Sequence, residues 1–243
     1  DEEAVQLNDV LLERAGFDFE KLLEDQRGTT VWHGSEFRPI HQLKMVIGEH
    51  PNFDYLVEIF EKGMEYVFKR EISEPERRAE LRAQIERGNH KSASGEEEEL
   101  TKLLEKDVSH GFSLPVSAEL IPRLKGALVQ PCGLASQYSL QADGTRKMKK
   151  RLTHDLSFAL TADDASVNAR IDMEAYPELF YGWCLLRVIH FVVSLRAENP
   201  GVRIFISKFD YSDAYRRITH AARAAVQSIL ILGNLASNKP VEL

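Results

Sequence analysis

The sequence predicts an α+β protein, with a mostly helical amino-terminal region over residues 1–110 and a strand-bearing region over 111–243. Three observations predict it. Before residue 107 the apolar side chains recur at the 3, 4, 7 spacing of buried helix faces. After Gly111, prolines at 115, 122 and 131 and glycines at 126 and 133 cut the chain into short apolar runs. An Asp143-Gly144 pair then joins two strand-like segments in the manner of a β-hairpin.

The elements follow in order. Leu7, Val10 and Leu11 line a short helix that stops before Gly16. Residues 39–69 read as helix interrupted between Gly48 and Asn52, with Phe53, Leu56, Val57, Phe60, Met64, Val67 and Phe68 forming one apolar stripe. Ser73 three residues before Glu76, with Pro75 in the first turn, marks a helix start, and that helix runs to Arg87 and stops at Gly88. Glu96–Lys106 is amphipathic through Leu100, Leu103 and Leu104. Segments 137–141 and 149–156 form the hairpin strands, and Val188–Leu195 is an apolar helix ending near Asn199-Pro200-Gly201. Val202, Ile204 and Ile206 alternate as in a strand running into Asp210. Ser212 and Asp213 have the character of a helix cap and first turn, and 227–232 is a β-rich run.

Composition narrows the function classes. The chain has 243 residues, 43% of them hydrophobic, enough for one large domain or two small ones with a real core. No apolar run approaches the ~18 residues of a membrane span, and the sequence opens at Asp1 without a secretory-signal pattern. Two distant cysteines, Cys132 and Cys184, point away from a disulfide framework or zinc module and toward an intracellular, reducing compartment, nucleus and cytoplasm not being distinguished. The net charge of −7 sits in residues 1–36, which hold ten acids and three bases, while the remainder carries 28 of each. Within that neutral remainder lie two basic stripes. Arg146, Lys147, Lys149, Lys150 and Arg151 form one, and seven Lys or Arg against three acids between Arg187 and Arg223 form the other. Local stripes of this kind are what phosphate backbones meet, although many charge runs are only solvated faces.

The segment richest in chemistry is Lys208-Phe209-Asp210-Tyr211-Ser212-Asp213-Ala214-Tyr215-Arg216-Arg217. A carboxylate at the end of a buried strand calls for a cationic partner, and magnesium suits hard oxygen ligands. On these residues alone, a metal-binding Asp210 and an Asp210 that caps the next helix both stand. His154 and Asp155 are neighbours on a strand and point to opposite faces, which argues against an acid–base pair. Arg87-Gly88-Asn89-His90-Lys91-Ser92-Ala93 reads as a helix-ending loop, with a nucleic-acid contact as the sharper alternative. There is no phosphate loop, zinc pattern or nucleophile elbow.

The run Asp-x-x-x-Ala-Tyr at 210–215, after an alternating segment ending Lys-x-Asp, resembles the first catalytic motif of reverse transcriptases. Upstream, Lys150-Arg151-Leu152-Thr153-His154-Asp155-Leu156-Ser157-Phe158 followed by Ser166-Val167-Asn168 resembles the fingers motif of the same family, and the order and spacing agree. The pattern is most similar to retrotransposon enzymes and covers residues 111–233. The resemblance implies reverse-transcriptase-like fingers and a partial palm behind the helical amino-terminal extension. It implies that Asp210 is catalytic and binds two Mg2+ ions, that Tyr211, Ser212 and Asp213 lie by the incoming triphosphate, and that Tyr215 sits under its sugar. Arg151 would bind the nucleotide's phosphates, and Arg146, Lys147, Lys149 and Lys150 the nucleic acid. Its partners would be an RNA or DNA template–primer and deoxynucleotides, without a membrane.

The departures from the family matter as much. The family's later palm elements, a glycine-bearing motif and a hairpin with adjacent aspartates, have no counterpart here. After Asp213 the one remaining acid is Glu242. The pair Asp163-Asp164 precedes Asp210 and lies in a loop-like stretch. The expectation is an RNA-directed DNA polymerase fragment, inactive by itself because its metal site is incomplete. The alternative is a non-enzymatic module that binds nucleic acid or a partner protein.

Overall fold

The computed structural model describes residues 2–26, 40–141, 143–160, 166–178, 182–207 and 214–232. The class is mixed α+β. Nine α-helices and one two-stranded antiparallel sheet are found among the described residues.

The amino-terminal helices follow the sequence signals closely. Helix α1 (Glu2–Arg14) is followed by α2 (Phe19–Asp25), capped by the Asp18 carboxylate accepting from the Lys21 amide. The buried face of α1 differs from the expected one. Leu12 is buried and Leu11 packs beside it, whereas Leu7 and Val10 are exposed. Helix α5 (Glu74–Arg87) begins with the capping box read from Ser73 and Glu76 and ends at Gly88, whose φ of +71° a side chain rarely adopts. Helix α6 (Glu97–Ser109) buries Leu100.

The long helix expected over 39–69 is shorter. It divides into α3 (Ile40–Ile47) and α4 (Phe53–Lys62), and Gly63 closes α4 at φ +85°. A Cβ there would stand 2.5 Å from the Ala221 nitrogen, so the chain turns where another segment crosses it. Met64, Val67 and Phe68 then run extended. Met64 bridges His220 and Phe68 bridges Ile171. Helical spacing continued past the last residue able to stay helical, because Gly63 and the crossing segment end the helix.

The hairpin is longer than the sequence signals. Strand β1 (Cys132–Leu140) pairs with β2 (Arg146–His154) in a register running from Cys132 opposite His154 to Leu140 opposite Arg146. Its base is buried at Cys132 and Leu134, and its tip projects into solvent. After short α7 (Val167–Arg170), helix α8 (Cys184–Glu198) forms where the apolar run predicts it, and α9 (Ala222–Val226) follows later.

Two strand expectations fail. Residues 202–207 pair with no described strand, and Val202, Phe205 and Ile206 are exposed. Alternation supplies a face, but a strand also needs a neighbouring edge to satisfy its amides. Residues 227–232, the β-rich run, form no named strand among the described residues. They make one parallel bridge, Val129 to Ile229, with the Gln130 amide donating to the Ile229 carbonyl at 2.9 Å.

The main core draws on both spans of the sequence. Leu12, Leu22, Leu81 and Ile85 pack with Ile121, Leu124, Ala127, Ala222 and Ile231. A second cluster, Ala93, Leu100, Cys132 and Leu134, seats the hairpin base on α6.

Candidate nucleic-acid interface

Alternation along the ladder sorts the basic run of β2 between two faces, since directly opposed residues share a face. Lys147 stands opposite Ser139, Lys149 opposite Gln137 and Arg151 opposite Ala135. These three cations therefore line one polar face, all exposed and with no carboxylate partner among the described residues. Arg146, opposite Leu140, and Lys150, opposite Ser136, lie on the other face. Lys150 is not available in the same way. Its Nζ donates to the Glu96 carboxylate at 2.8 Å and its side chain is only 20% exposed. Of the five cations expected to meet phosphate, four are thus open and one ties the hairpin to the start of α6.

The stripe between Arg187 and Arg223 is more heavily committed to the fold. Arg216 pairs with the nearly buried Asp107 of α6, and Arg223 pairs with Glu71. Arg196 donates to the carbonyls of Pro200 and Val202, the latter at 2.8 Å, which closes the end of α8. Charge alone could not separate Arg216 and Arg223 from phosphate-binding arginines, because their carboxylate partners lie 109 and 152 residues away in the chain.

What holds the hairpin at a fixed angle is the loop after α5. The Cys132 amide donates to Asn89 Oδ1 at 3.0 Å, the His90 amide to the Cys132 carbonyl at 2.9 Å, and the Leu134 amide to Ser92 Oγ at 3.1 Å. Asn89 Nδ2 reaches the other way, to the Ile231 carbonyl at 2.9 Å. His90 Nε2 lies 2.9 Å from Asp155 Oδ2, just past β2, and the Arg87 guanidinium stacks over the Phe158 ring at 3.8 Å. This polar loop is therefore a clamp on β1 and on the segment just past β2. Asn89 and Ser92 are occupied by backbone and His90 by Asp155, which favours the helix-ending reading over a direct contact with nucleic acid. Asp155 finds a histidine partner in His90, not in its neighbour His154. Gly133 permits the close approach, since a Cβ there would meet Ser92 Oγ at 2.8 Å.

The clamp also shields a thiol. Burial pushes Cys132 up to about 11, so it stays protonated, whereas Cys184 is exposed. His220, packed edge-on against Tyr66 with centroids 5.4 Å apart, has its pKa lowered by burial.

Asp210, Tyr211, Ser212 and Asp213 lie outside the described residues. Tyr215 falls in a 3-10 helix, Ala214–Arg217. The distance from Arg151 to the expected metal site is therefore not defined. Among the described residues no cluster of three His, Cys, Asp or Glu side chains is placed to hold a metal ion, and the Mg2+ expectation rests on Asp210 alone. No described helix is long and apolar enough to cross a membrane.

Compared with protein-family models, with curated proteins and with solved structures, the chain has no match.

Proposed function

We propose that this chain is a fingers and partial-palm portion of a retroelement-type reverse transcriptase, which binds nucleic acid but does not by itself catalyse DNA synthesis. The observation that carries the reading is the hairpin. It projects from a clamped base and presents Lys147, Lys149 and Arg151 on one face without carboxylates to neutralise them among the described residues. The motif at 210–215 and the order of the two motifs add to it. In the parent reaction, paired Mg2+ ions would activate the primer hydroxyl and stabilise the leaving pyrophosphate. Asp210 is the one residue of this chain proposed to hold them. A single carboxylate cannot fix two ions, so the chain's own contribution is binding: cations at the hairpin meet backbone phosphates, and Arg151 suits a phosphate fork.

Two measurements test this reading. Primer extension with template–primer, magnesium and deoxynucleotides is expected to give no product. Incorporation abolished by Asp210→Asn would overturn the assignment of inactivity. Binding to nucleic acid is expected to weaken steeply with salt, and replacing Lys147, Lys149 and Arg151 by Ala is expected to lower the slope of log affinity against log salt by roughly two to three. Salt-independent binding would refute the reading.

A partner-binding module is the second reading. Helix α8 favours it, because Leu185, Leu186, Val188, Phe191 and Val193 are all more than half exposed. An apolar helix this open is unusual unless something covers it.

A further inference from the structure

The outer part of the hairpin face opposite its free lysines is largely apolar and exposed. Tyr138 stands directly across from Met148, and Leu140 across from Arg146. Tyr138 is 64% exposed, Leu140 73% and Met148 53%. The next pair toward the base is Ser136 with Lys150. Tyr138 therefore has Arg146 and Lys150 as its diagonal neighbours on one face, roughly 7–8 Å away along the ladder, with Arg146 open and Lys150 held by Glu96. The whole hairpin carries five cations and a single acid, Asp143, whose Oδ1 accepts from the Thr145 amide and hydroxyl in the turn.

We infer that this face is a stacking platform for single-stranded nucleic acid, with Tyr138 receiving a base, Met148 and Leu140 supporting it, and Arg146 contacting the adjoining phosphate. The inference rests on the nucleic-acid reading above and deepens it by assigning single strand over duplex. Its physical ground is the combination of an open aromatic face with an open cation, Arg146, beside it. Duplexes hide their base faces and offer phosphates and groove edges, whereas single strands expose a π-face and a phosphate for every nucleotide. A wholly apolar protein partner would suit the apolar side chains but would bury Arg146 without an acid to meet it, which is costly. The polar face of Lys147, Lys149 and Arg151 is then left to draw in and hold the rest of the strand.

The test compares the full chain and its variants on three labelled probes: an oligothymidylate, the same backbone without bases, and a duplex. Tyr138→Ala is expected to weaken oligothymidylate binding roughly five- to a hundredfold, to leave the base-free strand and the duplex nearly unchanged, and to be rescued by Tyr138→Phe. Because Tyr138 is mostly exposed, the variant should keep the wild-type circular dichroism spectrum. Equal losses on all probes, or no loss on any, would overturn the inference. If the Lys147, Lys149 and Arg151 variant loses binding while Tyr138→Ala does not, the platform fails and the nucleic-acid reading survives. If the unmodified chain binds none of the probes, both fail. Sedimentation supplies a further arm: a dimer that Tyr138→Ala dissociates would mark this face as a protein contact and overturn the platform.

Discussion

Replacing Glu74 by Gln should destabilise the fold at neutral pH and cease to matter in acid. Arg77 is the reason. Its guanidinium is buried, with a side chain 8% exposed, and it donates through Nη1 to the Ala127 carbonyl at 2.6 Å. Glu74 supplies its counter-charge in a two-pronged contact, from Nε at 2.8 Å and from Nη2 at 2.7 Å. Arg77, through its hydrogen bond, and then Arg78 hold the Glu74 carboxyl at about 2, against an ordinary 4.5. Taken at face value the difference corresponds to roughly 3 kcal/mol. The carboxylate is 54% exposed, however, so water screens it, and about 1 kcal/mol is the expected loss. The sign follows from the depressed folded-state pKa. The stabilisation is present above 4.5 and is lost as pH falls toward 2, since the folded state then takes up a proton that the unfolded state already holds. Urea unfolding of the wild type and of Glu74→Gln at a series of pH values from 7 downward measures this. The gap between them should be widest near pH 7 and narrow below pH 4.5. A gap that stays constant into acid would show that Gln costs packing or geometry and that the Arg77 charge is not what Glu74 serves.

Three further outcomes follow from the clamp and the crossing at Gly63. Asn89→Ala removes an acceptor from Cys132 and a donor to Ile231, which should cost about 2–3 kcal/mol by denaturant midpoint. Gly63→Ala should cost at least about 2 kcal/mol, because the new methyl meets Ala221 backbone at 2.5 Å, whereas Gly144→Ala, at φ +82° in open space, should cost only about 1 kcal/mol; equal effects would contradict the crowding argument. Thiol titration of the native chain should count one fast group, Cys184. Cys132, held protonated near 11 by burial, should react only on unfolding, and two fast thiols in the native state would refute the described hairpin base.

The sequence by itself determined the local devices: the Ser73–Glu76 capping box, the stop at Gly88, the apolar run that becomes α8, and the hairpin turning through Asp143-Gly144. Each depends on residues a few positions apart, so its physics is complete within one window. The basic run on β2 was equally legible, and with it the candidate interface. Tertiary structure decided which of those charges are free. Lys150 is held by Glu96, 54 residues away, and Arg216 by Asp107, 109 residues away. Local pattern carries no information about such partners. The same holds for the loop from Arg87 to Ala93, whose role as a clamp depends on meeting Cys132, Leu134, Asp155 and Ile231. It holds also for residues 64–68, where helical spacing gave way to extended chain because the segment around Ala221 crosses at Gly63. The alternation at 202–206 shows the converse: a period of two prepares a face, and only a neighbouring edge turns it into a strand.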